Sequence, residues 1–347
     1  MLSLLSATSP ALPAPPDLRL AQERTASTAR AAFRAAARDD SAQAFRLASL
    51  IAAEEQPLAD AEALCTRLDA RIDELADSVR PRLQLAASFG GAADRNTIAT
   101  AVSSTLFGAG GADDADRAFF AGNKADYYDA RNSYLDQVLE RRCGIPISLS
   151  LVYAETCGRL DCEMVGLNAP AHLLLGSAGD GGGDHIVVDC FDGGRILDLD
   201  AAADLVASNA GFGEDEGAEL LGNLRALPMT SRQWASRVLR NLKAVHLAAD
   251  DTVRLLGACE RLRLLGAAEP LASSPGEQVD CALQISLALY TLKWEERRAE
   301  ARKLLEGLLG GSVAAEDNDG VEVSILEFSG EGRQQLEKLL EDPWWRD

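Results

Sequence analysis

Residues 125–153 read ADYYDARNSYLDQVLERRCGIPISLSLVY, and the step inside that run, Gly144-Ile145-Pro146-Ile147, decides how the chain is read on either side of it. Gly144 interrupts one helix. Pro146 suits the first turn of the next, where an amide hydrogen would be unpaired in any case and the fixed φ of proline is already helical. Ile147, Leu151, Val152 and Leu160 mark the apolar side of that second helix. Upstream, Leu135, Val138 and Leu139 predict a helix from Ser133, with Asn132 or Ser133 as its N-cap. Tyr127, Tyr128 and Tyr134 cluster beside Asp126, Asp129 and Asn132. Packed tyrosines with satisfied hydroxyls explain the cluster, and a peptide-binding rim is the functional alternative.

Past Leu160 the period changes from helical to strand-like. Glu163 to Asn168, Ala171 to Leu175 and His185 to Cys190 are short apolar or β-branched runs between turn-forming segments, which predicts an antiparallel sheet. Alternate strand residues share a face, so His172 goes with Leu174, and His185 with Val187 and Asp189. A hairpin through the Gly176–Asp184 loop would then set His172 beside Asp189, the pairing that a general base and its orienting acid require.

The central block resembles the transglutaminase-like superfamily, and within it the SirB-type family, which joins such a core to helices resembling tetratricopeptide repeats. The residues that carry the resemblance are Asp126-Tyr127-Tyr128-Asp129, Asn132-Ser133-Tyr134-Leu135, Val138-Leu139, Gly144 to Ile147, Asn168 with His172, and Asp189 through Phe191 to Gly193-Gly194-Arg195. A weaker match continues through Leu239 to Lys243. The resemblance implies an α+β fold: a helical N-terminal layer, a papain-like core with an antiparallel sheet, and C-terminal helical hairpins. It implies a cysteine at a helix start, activated by the helix dipole and free amides, with a histidine base and an aspartate. Here Pro146 occupies the nucleophile's place. Ala171 stands where the family has glycine, Cys190 and Ala130 where it has proline, and Cys143 where it has a basic residue.

The expected function is therefore a non-catalytic protein-interaction or regulatory module that holds a protein or peptide partner. The alternative is a cysteine-dependent acyl transferase or amide hydrolase using Cys143, flanked by Arg141 and Arg142, with His172 and Asp189. Ser148 also lies in the first turn, but a serine would need both the base and an oxyanion hole. Tyr127, Tyr128, Asn132, Tyr134, Asn168 and Arg195 are the candidate binding residues. His185 reads as a strand or loop residue and His246 as a packed helical one.

The formal net charge is -20, from 54 acidic and 34 basic residues among 347, so nucleic acid would meet overall repulsion. No apolar run approaches the roughly 20 residues that span a bilayer. Seven scattered cysteines without a CxxC pair suit a reducing, intracellular setting, cytoplasmic or organellar, rather than a disulfide framework. With three histidines, zinc has little to draw on, and no cofactor is expected. Ala315–Leu326 puts Asp317, Asp319 and Gly320 at EF-hand positions, yet Ala315 and Leu326 fail the first and last, and the acidic Gly179–Asp184 loop is no better a metal site.

Four regions are expected. Residues 1–27 read as a disordered leader or a transit peptide, Ser-rich and poor in acids at its start. Residues 28–107 form helices, one of them begun near Pro57 and carrying Leu64, Leu68, Ile72, Leu75 and Val79 on one face, with no chemistry of their own. Residues 108–207, opening on a glycine-rich linker, hold the transglutaminase-like core. After a linker near Ser208–Glu219, residues 220–347 carry four helices, about 232–248, 250–265, 277–292 and 294–309, and Trp344-Trp345 staple the end back on the body.

Overall fold

The computed structural model describes residues 16–55, 60–89, 94–108, 119–178, 185–310 and 330–345. The N-terminal layer has four helices: α1 (Pro16–Arg38), α2 (Ala44–Glu55), α3 (Ala61–Ser88) and α4 (Arg95–Phe107). α1 begins inside the segment read as a leader, and Ala29, Phe33 and Ala37 recur every fourth residue on its buried face. The expected face of α3 is buried as read, but the helix starts at Ala61, where the Asp60 side chain accepts the Ala63 amide at 2.8 Å. Pro57, the residues before Pro16, most of the linker after Phe107, the Gly179–Asp184 loop and the Ala315–Leu326 segment lie outside the described residues.

In the core, β1 (Ala121–Gly122) pairs in parallel with β2 (Cys143–Gly144), with α5 (Leu135–Arg141) between them and α6 (Pro146–Gly158) following. Pro146 is the first residue of α6. Neither Asn132 nor Ser133 caps α5; Tyr134 holds that place without a side-chain bond. Four antiparallel strands follow in sheet order: β3 (Met164–Leu167), β4 (Leu174–Ser177), β5 (Val187–Asp189) and β6 (Arg195–Leu197). Both sheet faces are covered. Leu175 and Val188 join the main core with α6, while Leu174, Val187 and Leu197 face Ala202, Val206 and Leu221 of α7 (Leu199–Ala210) and α8 (Glu214–Ala226). The segment expected to be a linker, Ser208–Glu219, is therefore the end of α7, a turn and the first half of α8, and the helix pair is needed because the far face of the sheet is apolar and has to be buried.

The C-terminal helices fall where their periodicity predicts, as α9 (Ser231–Ala248), α10 (Thr252–Ala268), α11 (Pro275–Thr291) and α12 (Arg298–Gly310). They pack in succession as hairpins. After α13 (Gly330–Leu340), Trp345 is buried and stacks on Tyr290 of α11 with ring centroids 5.4 Å apart, so the tryptophan staple is present. The whole is an α+β fold. α9 is also part of the core, because Trp234 lies over Gly166 of β3, where any Cβ would fall 2.5 Å from the indole. That glycine is required by close approach.

Candidate functional site

Asp189 ends β5 and is almost fully buried. Its Oδ1 accepts the backbone amides of Phe191 at 3.0 Å and Asp192 at 3.1 Å, which closes the turn into β6, and its Oδ2 lies 2.9 Å from His172 Nε2. Burial pushes the carboxyl up, but the bond to His172, the imidazole charge and the two amides outweigh it and hold it below its ordinary value. The expected pair is thus assembled, by a geometry other than the one expected. β4 starts only at Leu174 and pairs Leu175 with Val188 and Gly176 with Val187. His172 lies before the strand, in a turn where Ala171 has φ 53° and the His172 amide donates to Ala169 O at 3.2 Å. The left-handed backbone at Ala171 is one that glycine adopts without steric cost.

Arg237, on α9 one turn beyond Trp234, holds that turn from outside. Its guanidinium donates to Asn168 Oδ1 and, at 3.2 Å, to the His172 carbonyl. It escaped the sequence reading because it lies 65 residues from His172, in a helix read as capping or repeat structure. Asn168 is therefore a positioning partner of the His172 turn. The His172 side chain remains 17% exposed, against 4% for Asp189, so the imidazole edge meets solvent while the acid does not.

The first turn of α6 offers no free nucleophile. Ser148 is fully buried; its Oγ donates to Asn132 O at 2.6 Å and accepts the Ile145 amide at 3.1 Å, so it caps the helix. Cys143 is half-buried on β2, and the other six cysteines are buried. The flanking arginines have other partners, Arg141 at Asp129 and Asn132, Arg142 over the Phe120 ring. Cys190 faces the core, and burial drives its thiol far above the ordinary range.

The tyrosine cluster divides. Tyr127 and Tyr128 are exposed and meet edge to face at 5.3 Å, and Tyr127 meets Phe191 in the same way at 6.2 Å. They form a rim beside the dyad, since Phe191 follows the Asp189 turn. Tyr134 and Asn132 do not belong to it. Asn132 is fully buried and ties its own loop, Nδ2 donating to Asp126 O and Tyr127 O at 2.8 and 3.2 Å. Tyr134 is buried and its hydroxyl donates to Glu55 Oε2 at 3.4 Å, far from any rim. Arg195 is half-exposed, with Nε 3.4 Å from Asp192 Oδ2. His185 meets Arg225, and His246 is buried on α9 facing Glu55.

Glu55 belongs to a second charged cluster that the sequence reading passed over. Arg261 of α10, itself 2% exposed, donates to Glu55 Oε1 at 2.6 Å and approaches Glu54 Oε2 at 3.5 Å. His246 and Arg254 each lie 3.4 Å from Glu55 Oε2, and Arg30 donates to Glu54 at 2.9 Å. Burial would raise the Glu55 carboxyl, yet His246 and Arg261 hold it below its ordinary value. Among the described residues no group of three or more His, Cys, Asp or Glu side chains could hold a metal ion, and no helix is long and apolar enough to cross a membrane.

Residues 66–240 match the family model of the transglutaminase-like superfamily, which is half of the chain, and the chain belongs to that superfamily. It is 35% identical over 153 residues to a UPF0162 protein of Xylella fastidiosa, covering 44% of this chain and 53% of that protein. A UPF0162 protein of Pseudomonas aeruginosa is 33% identical over 132 residues, 38% of this chain and 45% of its own length. The mouse protein F-box only protein 21 is 41% identical over 88 residues, 24% of this chain and 14% of that protein. The chain spans about half the length of the UPF0162 proteins of Xylella that it matches. No solved structure matches it.

Proposed function

We propose that this chain is a non-catalytic member of the superfamily, an interaction module that holds a peptide segment of a protein partner across the exposed edge of His172. The observation that carries this reading is the first turn of α6, where Pro146 holds the position that the resemblance assigns to the nucleophile and the nearby Ser148 hydroxyl is spent on the helix cap and on Asn132 O. A helix start that would lower a thiol pKa has no thiol to act on. The imidazole, its buried acid and the Tyr127–Tyr128 rim form a shaped, partly aromatic surface, of the kind peptides dock on.

A cysteine-dependent acyl transferase or amide hydrolase is the second reading, and it rests on Cys143 as the one cysteine that is not buried. The two readings part on the pH dependence of Cys143 alkylation in the native chain. An ordinary thiol profile, unchanged in His172→Ala, is expected. A Cys143 that reacts below pH 7, at a rate that drops when His172 is removed, would overturn the non-catalytic reading.

A further inference from the structure

Arg237 is half-buried, yet its two hydrogen-bond acceptors, Asn168 Oδ1 and the His172 carbonyl, are neutral. Among the described residues no carboxylate pairs with it. Burial and neighbouring Arg240 weaken its hold on its proton, and Tyr127 opposes them. Arg240, three residues on, is satisfied by Glu277 at 2.8 Å, and Arg232 on the same helix by Asp40 at 2.6 Å, so Arg237 is the arginine of α9 without a carboxylate among the described residues. Lys124 repeats the pattern on the other side of the rim: exposed, 5.8 Å over the Phe191 ring, with no acid partner among the described residues. In a chain of net charge -20, Arg131, Arg141 and Arg195 near this site each have a carboxylate within 3.6 Å, whereas Arg237 and Lys124 have none among the described residues.

A partly desolvated guanidinium facing only neutral acceptors is stabilised by an incoming carboxylate, which it can bind with two parallel N–H bonds. The rest of the molecule limits what can bring it. A polyacidic segment would meet the overall negative field, whereas a single carboxylate beside an apolar side chain meets little repulsion and has Tyr127, Tyr128 and Phe191 to lie against.

We propose that this surface binds the C-terminal end of a peptide chain, its free carboxylate at Arg237 with support from Lys124 and its last, apolar side chain on the tyrosine and Phe191 rim. This rests on the peptide-binding reading above and names the chemistry of the partner. The docked terminus covers the His172 edge and closes the site to solvent.

The test uses the full chain, immobilised, and two pools of randomised hexapeptides ending in leucine, one with a free C-terminal carboxylate and one amidated, with retention read by mass spectrometry. The free-acid pool is expected to be retained at least about tenfold over the amide pool, and Arg237→Gln to remove that preference while Arg237→Lys keeps part of it. Lys124→Gln, at an exposed position, is expected to weaken free-acid retention severalfold with an unchanged melting temperature, and it decides the matter if Arg237→Gln does not fold. Equal retention of the two pools, lost in Tyr128→Ala, would overturn the carboxylate assignment and leave the peptide site standing. Retention of neither pool would overturn both.

Discussion

The molecule holds two carboxylate–histidine constellations, and they are built for opposite ends. At Glu55 the acid and His246 are both buried, with Arg261 beside them, where α2 of the N-terminal layer meets α9 and α10. At Asp189 only the acid is buried, and His172 turns an edge to solvent. A closed ionic cluster joins layers, because removing one partner strands a buried charge, whereas a histidine with one buried acid and one open edge is an arrangement that can meet a ligand. The difference teaches that a retained acid–base pair does not by itself mark chemistry. What surrounds the imidazole decides its use.

The contrast can be broken at several points. Glu55→Ala should cost the most, about 3–5 kcal/mol in chemical denaturation, since buried Arg261 loses its 2.6 Å partner and keeps only the 3.5 Å approach to Glu54, and buried His246 loses its acid. A loss under about 1 kcal/mol would mean that the cluster does not hold the layers together. Asp189→Ala should cost about 1–3 kcal/mol, because the Phe191 and Asp192 amides lose their acceptor along with His172. The double variant should be additive, the two clusters having no shared partner.

Acid sharpens the comparison. Both carboxyls titrate below their ordinary values of 4.5 for Glu55 and 3.8 for Asp189, so each contributes stability that is present above those values and is lost as pH falls through the folded pKa. Stability should decline below about pH 4.5, and Glu55→Gln should flatten that limb by up to about 1.4 kcal/mol per pH unit. An unchanged slope in the variant would remove Glu55 as the source. The smallest effect is expected from Ala171→Gly. Relief of the left-handed backbone should raise stability by about 1 kcal/mol or less and leave the His172–Asp189 bond in place.

Most of the helices were legible, because runs such as Leu64, Leu68, Ile72, Leu75 and Val79 repeat at helical spacing and bury as that spacing requires. Pro146 was legible for a stronger reason, since proline tolerates few places in a helix and the first turn is one. The α7–α8 pair was missed because its glycines and acids resemble a linker, and only the apolar far face of the sheet shows that it must be covered. His172 and Asp189 could be paired from strand alternation, but the turn at Ala171 that sets the imidazole depends on backbone conformation, which periodicity does not report. Tyr134, Asn132 and Tyr127 looked alike as polar aromatic sequence. Burial separates them, sending Tyr134 to Glu55 and Asn132 to its own loop while Tyr127 stays on the rim. Arg237 and the Glu55–Arg261 pair are long-range contacts between helices, and nothing in local sequence announces them.

The central claim, that this site binds and does not react, is tested most directly by intact-mass measurement after incubating the native chain with a peptide thioester as an activated acyl donor. The account predicts an unchanged mass at every cysteine, in the wild-type chain and in His172→Ala alike. An acyl adduct on Cys143 that forms in the wild type and is lost in His172→Ala would contradict it.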